Sequence, residues 1–245
     1  MYFKWTGLLL GISALMVLNA CSGESTTEEI YDHLEESVTL EETFVEKQTE
    51  ITELEQKEQS LYEEIFELSM DDFDKIKELS EDAISSIDER RDKVDEEKDS
   101  MDSSEKEFKK VKDLIGDLDD DKDVKENANE MYDVMMERYD AYHEIYEAYM
   151  DSLDDETELY TLLQDEDVEQ EAISEQLDEI NESYQHIIDT NETFNHATVE
   201  YNDLKKEFYE AADIDVEYDD EAPGKGKNDT DGNDEGNNAN ENDEE

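Results

Sequence analysis

Residues 173–208 read ISEQLDEINESYQHIIDTNETFNHATVEYNDLKKEF. Ile173, Ile180, Ile187, Phe194, Tyr201 and Phe208 recur at every seventh position, and Leu177, Tyr184, Asn191 and Thr198 mark a second row beside them. A strand would alternate every second residue. An apolar row kept at sevens over this length predicts helices packed side by side at shallow angles, as in coiled coils.

The same periodicity runs upstream. A first stripe holds Ile30, Leu34, Val38, Phe44, Ile51, Leu54, Leu61, Tyr62, Ile65 and Leu68. A second holds Phe73, Ile76, Leu79, Ile84, Ile87, Val94, Met101, Phe108, Val111, Ile115 and Leu118. A third holds Val124, Ala128, Met131, Met135, Tyr142, Ile145, Tyr149, Leu159 and Leu163, with Tyr132, Tyr139, Tyr146, Leu153 and Tyr160 alongside at sevens. The polar stretches between them, Ser69–Asp72, Gly116–Asp123 and Asp165–Asp167, read as turns. Thr26 reads as the first N-cap, with Glu29 completing a capping box, and Ser69 or Asp71 as a later one.

The segments are therefore 27–68, 71–118, 123–164 and 167–212, each about 60 to 75 Å long at 1.5 Å per residue. Matched lengths and short turns predict an all-α fold, a long antiparallel bundle of three to four helices over 27–212 with coiled-coil-like heptad packing. Three helices would result if the chain runs through Ser69 unbroken. Heptads fit packing within one chain and between chains alike.

Charge constrains both packing and partners. The chain has 79 Asp and Glu against 20 Lys and Arg, a net −59. Nucleic acid is excluded as a partner, because phosphate attraction needs clustered basic residues. Ten of the basic residues lie between Lys75 and Lys112, which makes the second segment a cationic strut among acidic neighbours. Arg90, Glu97 and Ser104 fall where that strut's core residues belong, so its middle is expected to be the loosest stretch. Periodicity stops after Ala212. Residues 213–245, with fourteen acidic and two basic residues, read as a disordered acidic tail.

The N-terminus carries a different signal. Lys4 precedes an apolar run from Trp5 to Leu18, and Leu18-Asn19-Ala20-Cys21 ends it. The run is too short for a comfortable bilayer span of about 20 residues. It reads as a lipoprotein signal peptide over 1–20, cut before Cys21. A diacylglyceryl group with palmitate-type chains on Cys21 then anchors the chain to the outer face of the membrane, and residues 21–26 form the tether. Cys21 is the only cysteine, so a disulfide framework is ruled out. Two acyl chains hold a soluble domain stably on a membrane.

Catalytic and metal patterns are sparse. His33, His143, His186 and His196 are scattered. His143-Glu144-Ile145-Tyr146-Glu147 lacks the second histidine of a zinc-protease helix, and a Glu-x-x-His pair for a di-iron bundle is missing. The tail's Asp231, Asn233, Glu235 and Gly236 match calcium-loop spacing, but Asn242 replaces the closing glutamate. No catalytic residue, metal or cofactor is expected. Tyr132, Tyr139, Tyr142, Tyr146, Tyr149 and Tyr160 form the one aromatic set that suits a glycan or partner surface, although tyrosines at heptad spacing more often bury their rings in a core or seam and wet their hydroxyls.

The segments Leu54–Ile76 (LEQKEQSLYEEIFELSMDDFDKI), Met131–Leu163 (containing MMERYDAYHEIYEAY) and Gln176–Tyr209 (containing FNHATVEYNDLKKEFY), in order behind the Cys21 lipobox, resemble the YkyA-type lipoproteins of low-GC Gram-positive bacteria. The resemblance implies a surface location and a wall-facing role, with peptidoglycan or another envelope protein as partner, and it carries no catalytic residues. It points to a non-catalytic binding module; the alternative is a structural spacer or oligomerising coiled coil of the envelope. Wall teichoic phosphates are themselves negative, so a chain this acidic needs divalent cations, D-alanyl amines or neutral glycan contacts to approach them.

Overall fold

The computed structural model describes residues 25–118 and 122–216. The predicted signal peptide, Cys21 and most of the predicted tail lie outside the described residues. The elements are α1 (Thr26–Leu40), α2 (Glu42–Glu67), a 3₁₀ turn (Met70–Asp72), α3 (Phe73–Phe108), α4 (Val111–Asp117), α5 (Lys122–Leu162) and α6 (Gln170–Ala211). The described residues contain no strand.

They pack as four struts running up, down, up and down: α1–α2, α3–α4, α5 and α6. Contacts between α2 and α3 pair rising with falling residue numbers, as in Lys47 with Glu96 and Glu50 with Lys93. The same holds between α3 and α5, where Arg91 meets Asp154 and Ser104 meets Tyr139. It holds again between α1 and α6, where Tyr31 meets Tyr209 and Glu35 meets Lys205. The long antiparallel bundle read from the heptads is thus the fold, with four struts because the chain does break at Leu68–Ser69.

Four features differ from the sequence reading. The first N-cap is Ser25, not Thr26. Its hydroxyl accepts from the Glu28 amide at 3.2 Å while Glu28 accepts the Ser25 amide at 2.8 Å, so the capping box sits one residue earlier than Thr26–Glu29.

The first strut also kinks at Glu41. There the Ser100 hydroxyl donates to the Leu40 carbonyl at 2.5 Å and accepts from the Phe44 amide at 3.2 Å. A side chain inserted into the helical ladder is a standard cause of a kink. The second strut has a short turn at Lys109–Lys110 between α3 and α4.

At the far end of the chain, Asp213 takes a positive φ of 58° and closes α6, and the Ile214 amide donates back to the Tyr209 carbonyl at 3.0 Å. Ile214 and Val216 then pack on the core, four residues past the predicted end of the bundle.

The core divides in two. One apolar cluster joins Ile30, Leu34, Phe44, Met101, Phe108, Met131, Phe194, Tyr201 and Phe208 near the chain ends. The other joins Ile51, Ile65, Ile76, Leu79, Ile87, Val94, Leu153 and Ile187 toward the opposite turns. Between them Glu97, only 1% exposed, accepts from the Gln48 amide at 2.6 Å. Arg90 and Ser104, expected at a loose seam, are buried as well.

Candidate functional site

The tyrosine row is mostly core. Tyr139, Tyr142, Tyr149 and Tyr160 are buried, so their rings have no face free for a glycan. Their surroundings explain why they are tyrosines and not leucines. The Tyr139 hydroxyl meets Ser104 at 2.6 Å, Tyr149 donates to Glu55 at 2.7 Å, and Tyr160 donates to Glu58 at 3.0 Å. In Tyr139, Tyr149 and Tyr160 the ring fills apolar space and the hydroxyl meets a polar partner. Tyr132 and Tyr146 are half-buried. Tyr132 stacks on Phe108 with centroids 5.3 Å apart under the Lys112 ammonium, and Tyr146 donates to Asp95 at 2.7 Å beside Lys98.

Those hydroxyls lead into buried ionic layers. In one, Arg138 from α5 gives Glu41 two hydrogen bonds of 2.8 and 2.7 Å, donates to Thr198 at 2.9 Å, and stacks over Phe194 at 4.6 Å. Ser104 donates to the same Glu41 at 3.0 Å. In a second layer, toward the opposite end, Arg90 bonds Glu58 at 2.8 Å and also Glu156, and Tyr184 donates to Glu156 at 2.5 Å. Burial pushes the Glu58 carboxyl up to about 8, with Glu156 adding to the effect and Arg90 opposing it. Burial raises Glu55 too. A third contact sets Lys205, 2% exposed, against Glu35 at 2.9 Å, and Tyr209 donates to that carboxylate as well. Burial pushes the Glu97 carboxyl up to about 8, while the Gln48 amide and Tyr142 hydroxyl hold it down.

These layers fill the bundle interior and are lined by packed rings. Their geometry suits holding helices in register and leaves no room for a substrate. Of the histidines, His33 pairs with Glu107 at 2.7 Å, and His196 is exposed beside Glu200. His143 stands apart. It lies between Asp102 and Glu105 across the α3–α5 seam, the one three-residue group among the described residues able to hold a metal ion. Spacing along the sequence hides this group, since His143 lies about forty residues beyond Asp102 and Glu105.

The opposite turns carry exposed apolar side chains. Phe66 is 48% and Met70 57% exposed, and the Phe66 ring packs tilted against Tyr62 with centroids 4.4 Å apart. Acidic residues surround them, including Glu63, Glu64, Glu67, Asp71 and Asp72.

Residues 25–211 match a protein family described as "YkyA: Putative cell-wall binding lipoprotein". The chain belongs to the YkyA family. It is 33% identical over 208 residues to "Uncharacterized lipoprotein YkyA" of Bacillus subtilis (strain 168), covering 84% of this chain and 93% of that one. A conserved protein of unknown function from Staphylococcus aureus, solved as a crystal structure, shares the fold with a TM-score of 0.65 at 20% identity. That match covers 77% of this chain and 98% of the other. YkyA membership places the chain among lipoproteins, which sit on the cell surface by a membrane anchor. Among the described residues no helix is long and apolar enough to cross a membrane.

Proposed function

We propose that this YkyA protein is a non-catalytic binding module, held at the outer face of the cell membrane by a lipid on Cys21, that presents the far end of its bundle to peptidoglycan or another envelope protein. The observation that carries this reading is the polarity of the bundle. Ser25, close behind Cys21 in sequence, starts α1 at the end where α6 finishes, since Tyr31 packs on Tyr209. The α2–α3 and α5–α6 turns lie at the other end, about 60 Å away for helices of this length. Phe66 and Met70 are exposed there, and aromatic and thioether side chains are the usual anchors of a contact surface. A bundle anchored by its base offers its tip first.

The family description supports the wall as the target. The acid around the tip favours contact through neutral glycan, D-alanyl amines or bridging calcium over direct contact with teichoic phosphate.

The test is co-sedimentation of the purified protein with peptidoglycan sacculi, with and without teichoic acids, in low salt, high salt and calcium. Saturable binding, weakened about tenfold by Phe66→Ala with Met70→Ala, is expected. That variant should keep its helical signal, because neither side chain belongs to the core. Sedimentation of the wild type no better than that of the variant under every condition would sink the tip as the contact. Release of soluble muropeptides would overturn the non-catalytic reading.

A further inference from the structure

We propose that Asp102, Glu105 and His143 form a binding site for one divalent transition-metal ion, with zinc the best fit. Asp102 and Glu105 lie one turn apart on α3, and His143 faces them from the antiparallel α5. The three donor atoms all lie within 4.8 Å of one another. His143 Nε2 is 3.1 Å from Asp102 Oδ1 and 3.7 Å from Glu105 Oε2. Zinc bonds imidazole nitrogen and carboxylate oxygen at about 2.0–2.2 Å, so neighbouring donors around a tetrahedral zinc sit about 3.3 Å apart. The observed spacings bracket that value, and an ion enters with side-chain adjustment alone.

The flanking lysines favour the same arrangement. Lys98 binds Asp102 through Oδ2 at 2.5 Å, and Lys109 binds Glu105 through Oε1 at 2.5 Å. Each lysine takes one oxygen of its carboxylate, and the other oxygen of each is turned toward His143. Groups that hold a ligand's outer oxygen fix its orientation toward the ion. The lysines also keep the local charge near balance, so the site is no sink for any cation. Calcium and magnesium take oxygen-only sets, whereas one imidazole with two carboxylates suits zinc and its neighbours.

Three protein donors leave a fourth position open, and His143 and Asp102 are partly exposed there. Water or a donor from a partner can complete the shell. His33 provides an internal control: it pairs with Glu107, and among the described residues no second carboxylate joins them in a three-residue group.

The experiment is a calorimetric titration of chelator-treated protein with zinc chloride. Excess calcium is present throughout to occupy the diffuse acidic surface. NMR of the four histidine rings is followed in parallel. One saturable step is expected, with the His143 ring shifting at the first equivalent ahead of His33, His186 and His196. His143→Gln, and separately Asp102→Asn with Glu105→Gln, should weaken that step at least tenfold, and His33→Gln should leave it unchanged. A step that survives His143→Gln, a first equivalent that leaves the His143 ring unmoved, or no step above the diffuse background would each overturn the site. Should a variant fail to fold by circular dichroism, the wild-type ring shifts decide alone.

Discussion

Arg138→Met should be among the most damaging single substitutions in this bundle, and adding Glu41→Leu should largely repair it. Arg138 is 2% exposed and Glu41 4% exposed. Replacing the arginine removes both of its hydrogen bonds to Glu41 and the bond to Thr198, and leaves the carboxylate with the Ser104 hydroxyl as its remaining donor. Breaking a buried ion pair from one side costs about 3–5 kcal/mol, because the abandoned charge stays out of water. For a chain of this size each kcal/mol moves the melting temperature by about 2–4 °C, so the loss should be about 6–20 °C. In the double variant nothing charged is left unpaired, and exchanging a buried pair for apolar side chains is often neutral or stabilising. The assay is urea unfolding followed by circular dichroism for wild type, both single variants and the double variant, arranged as a cycle. The reasoning requires a coupling of several kcal/mol. An Arg138→Met loss under about 1 kcal/mol, or a double variant as damaged as the worse single, would refute it.

Three further outcomes are expected. Glu97 in the folded state holds its proton to about 8, whereas an unfolded glutamate ionises near 4.5. Its contribution is therefore fully present below about pH 4.5 and is lost as pH rises through 8, so Glu97→Gln should gain on the order of 3–5 kcal/mol over wild type between pH 5 and pH 9; a gap that stays constant in urea melts at both pH values would refute this. Raising salt from 0.1 to 1 M shortens the screening length from about 10 to about 3 Å, so the melting temperature should rise, because repulsion among the 79 acidic residues outweighs the exposed ion pairs; a fall on calorimetry would show the reverse balance. Ser25→Ala should cost about 1 kcal/mol and speed amide exchange across the first turn of α1, leaving α5 and α6 untouched.

Heptad spacing made the helices and most of the core legible. Ile30, Phe44, Ile51, Ile87, Met101, Phe108, Ile187, Phe194 and Phe208 were all placed by period, and all are buried. The buried ions were written in the same pattern. Arg138 lies on the row Met131, Arg138, Ile145, and Lys205 lies seven residues past Thr198. Glu58 falls between Ile51 and Ile65, and Glu156 falls seven past Tyr149. Period gives the position; it does not say whether an ion there is buried with a partner or turned out to water, since that depends on what the facing helix supplies. The kink at Glu41 was hidden for a related reason, because its cause is Ser100 on another strut. The His143 group needed two helices brought together before its donors converged.

The buried ions also account for how so repetitive a sequence takes one register. Apolar heptads slide past one another by seven residues at little cost, since Met131, Ile145 and Leu159 are interchangeable against a leucine or isoleucine. Arg138 removes that freedom. Moved by one heptad it faces Leu34 or Gln48 in place of Glu41, and two charges are left unpaired in the core. Arg90 with Glu58 and Glu156 sets another fixed point toward the opposite end of the bundle, since one heptad away it faces Ile51 or Ile65 and Tyr149 or Leu163. Lys205 sets none, because Glu28 and Glu42 lie one heptad to either side of its partner Glu35. A polar residue at a single core position is a known way to fix coiled-coil register. Exposed pairs between struts, such as Lys47 with Glu96 and Arg91 with Asp154, add little to that alignment, since each is worth about 0–1 kcal/mol. Two of the chain's twenty basic residues, Arg90 and Arg138, are buried in the interior, where each finds its carboxylates in one alignment alone.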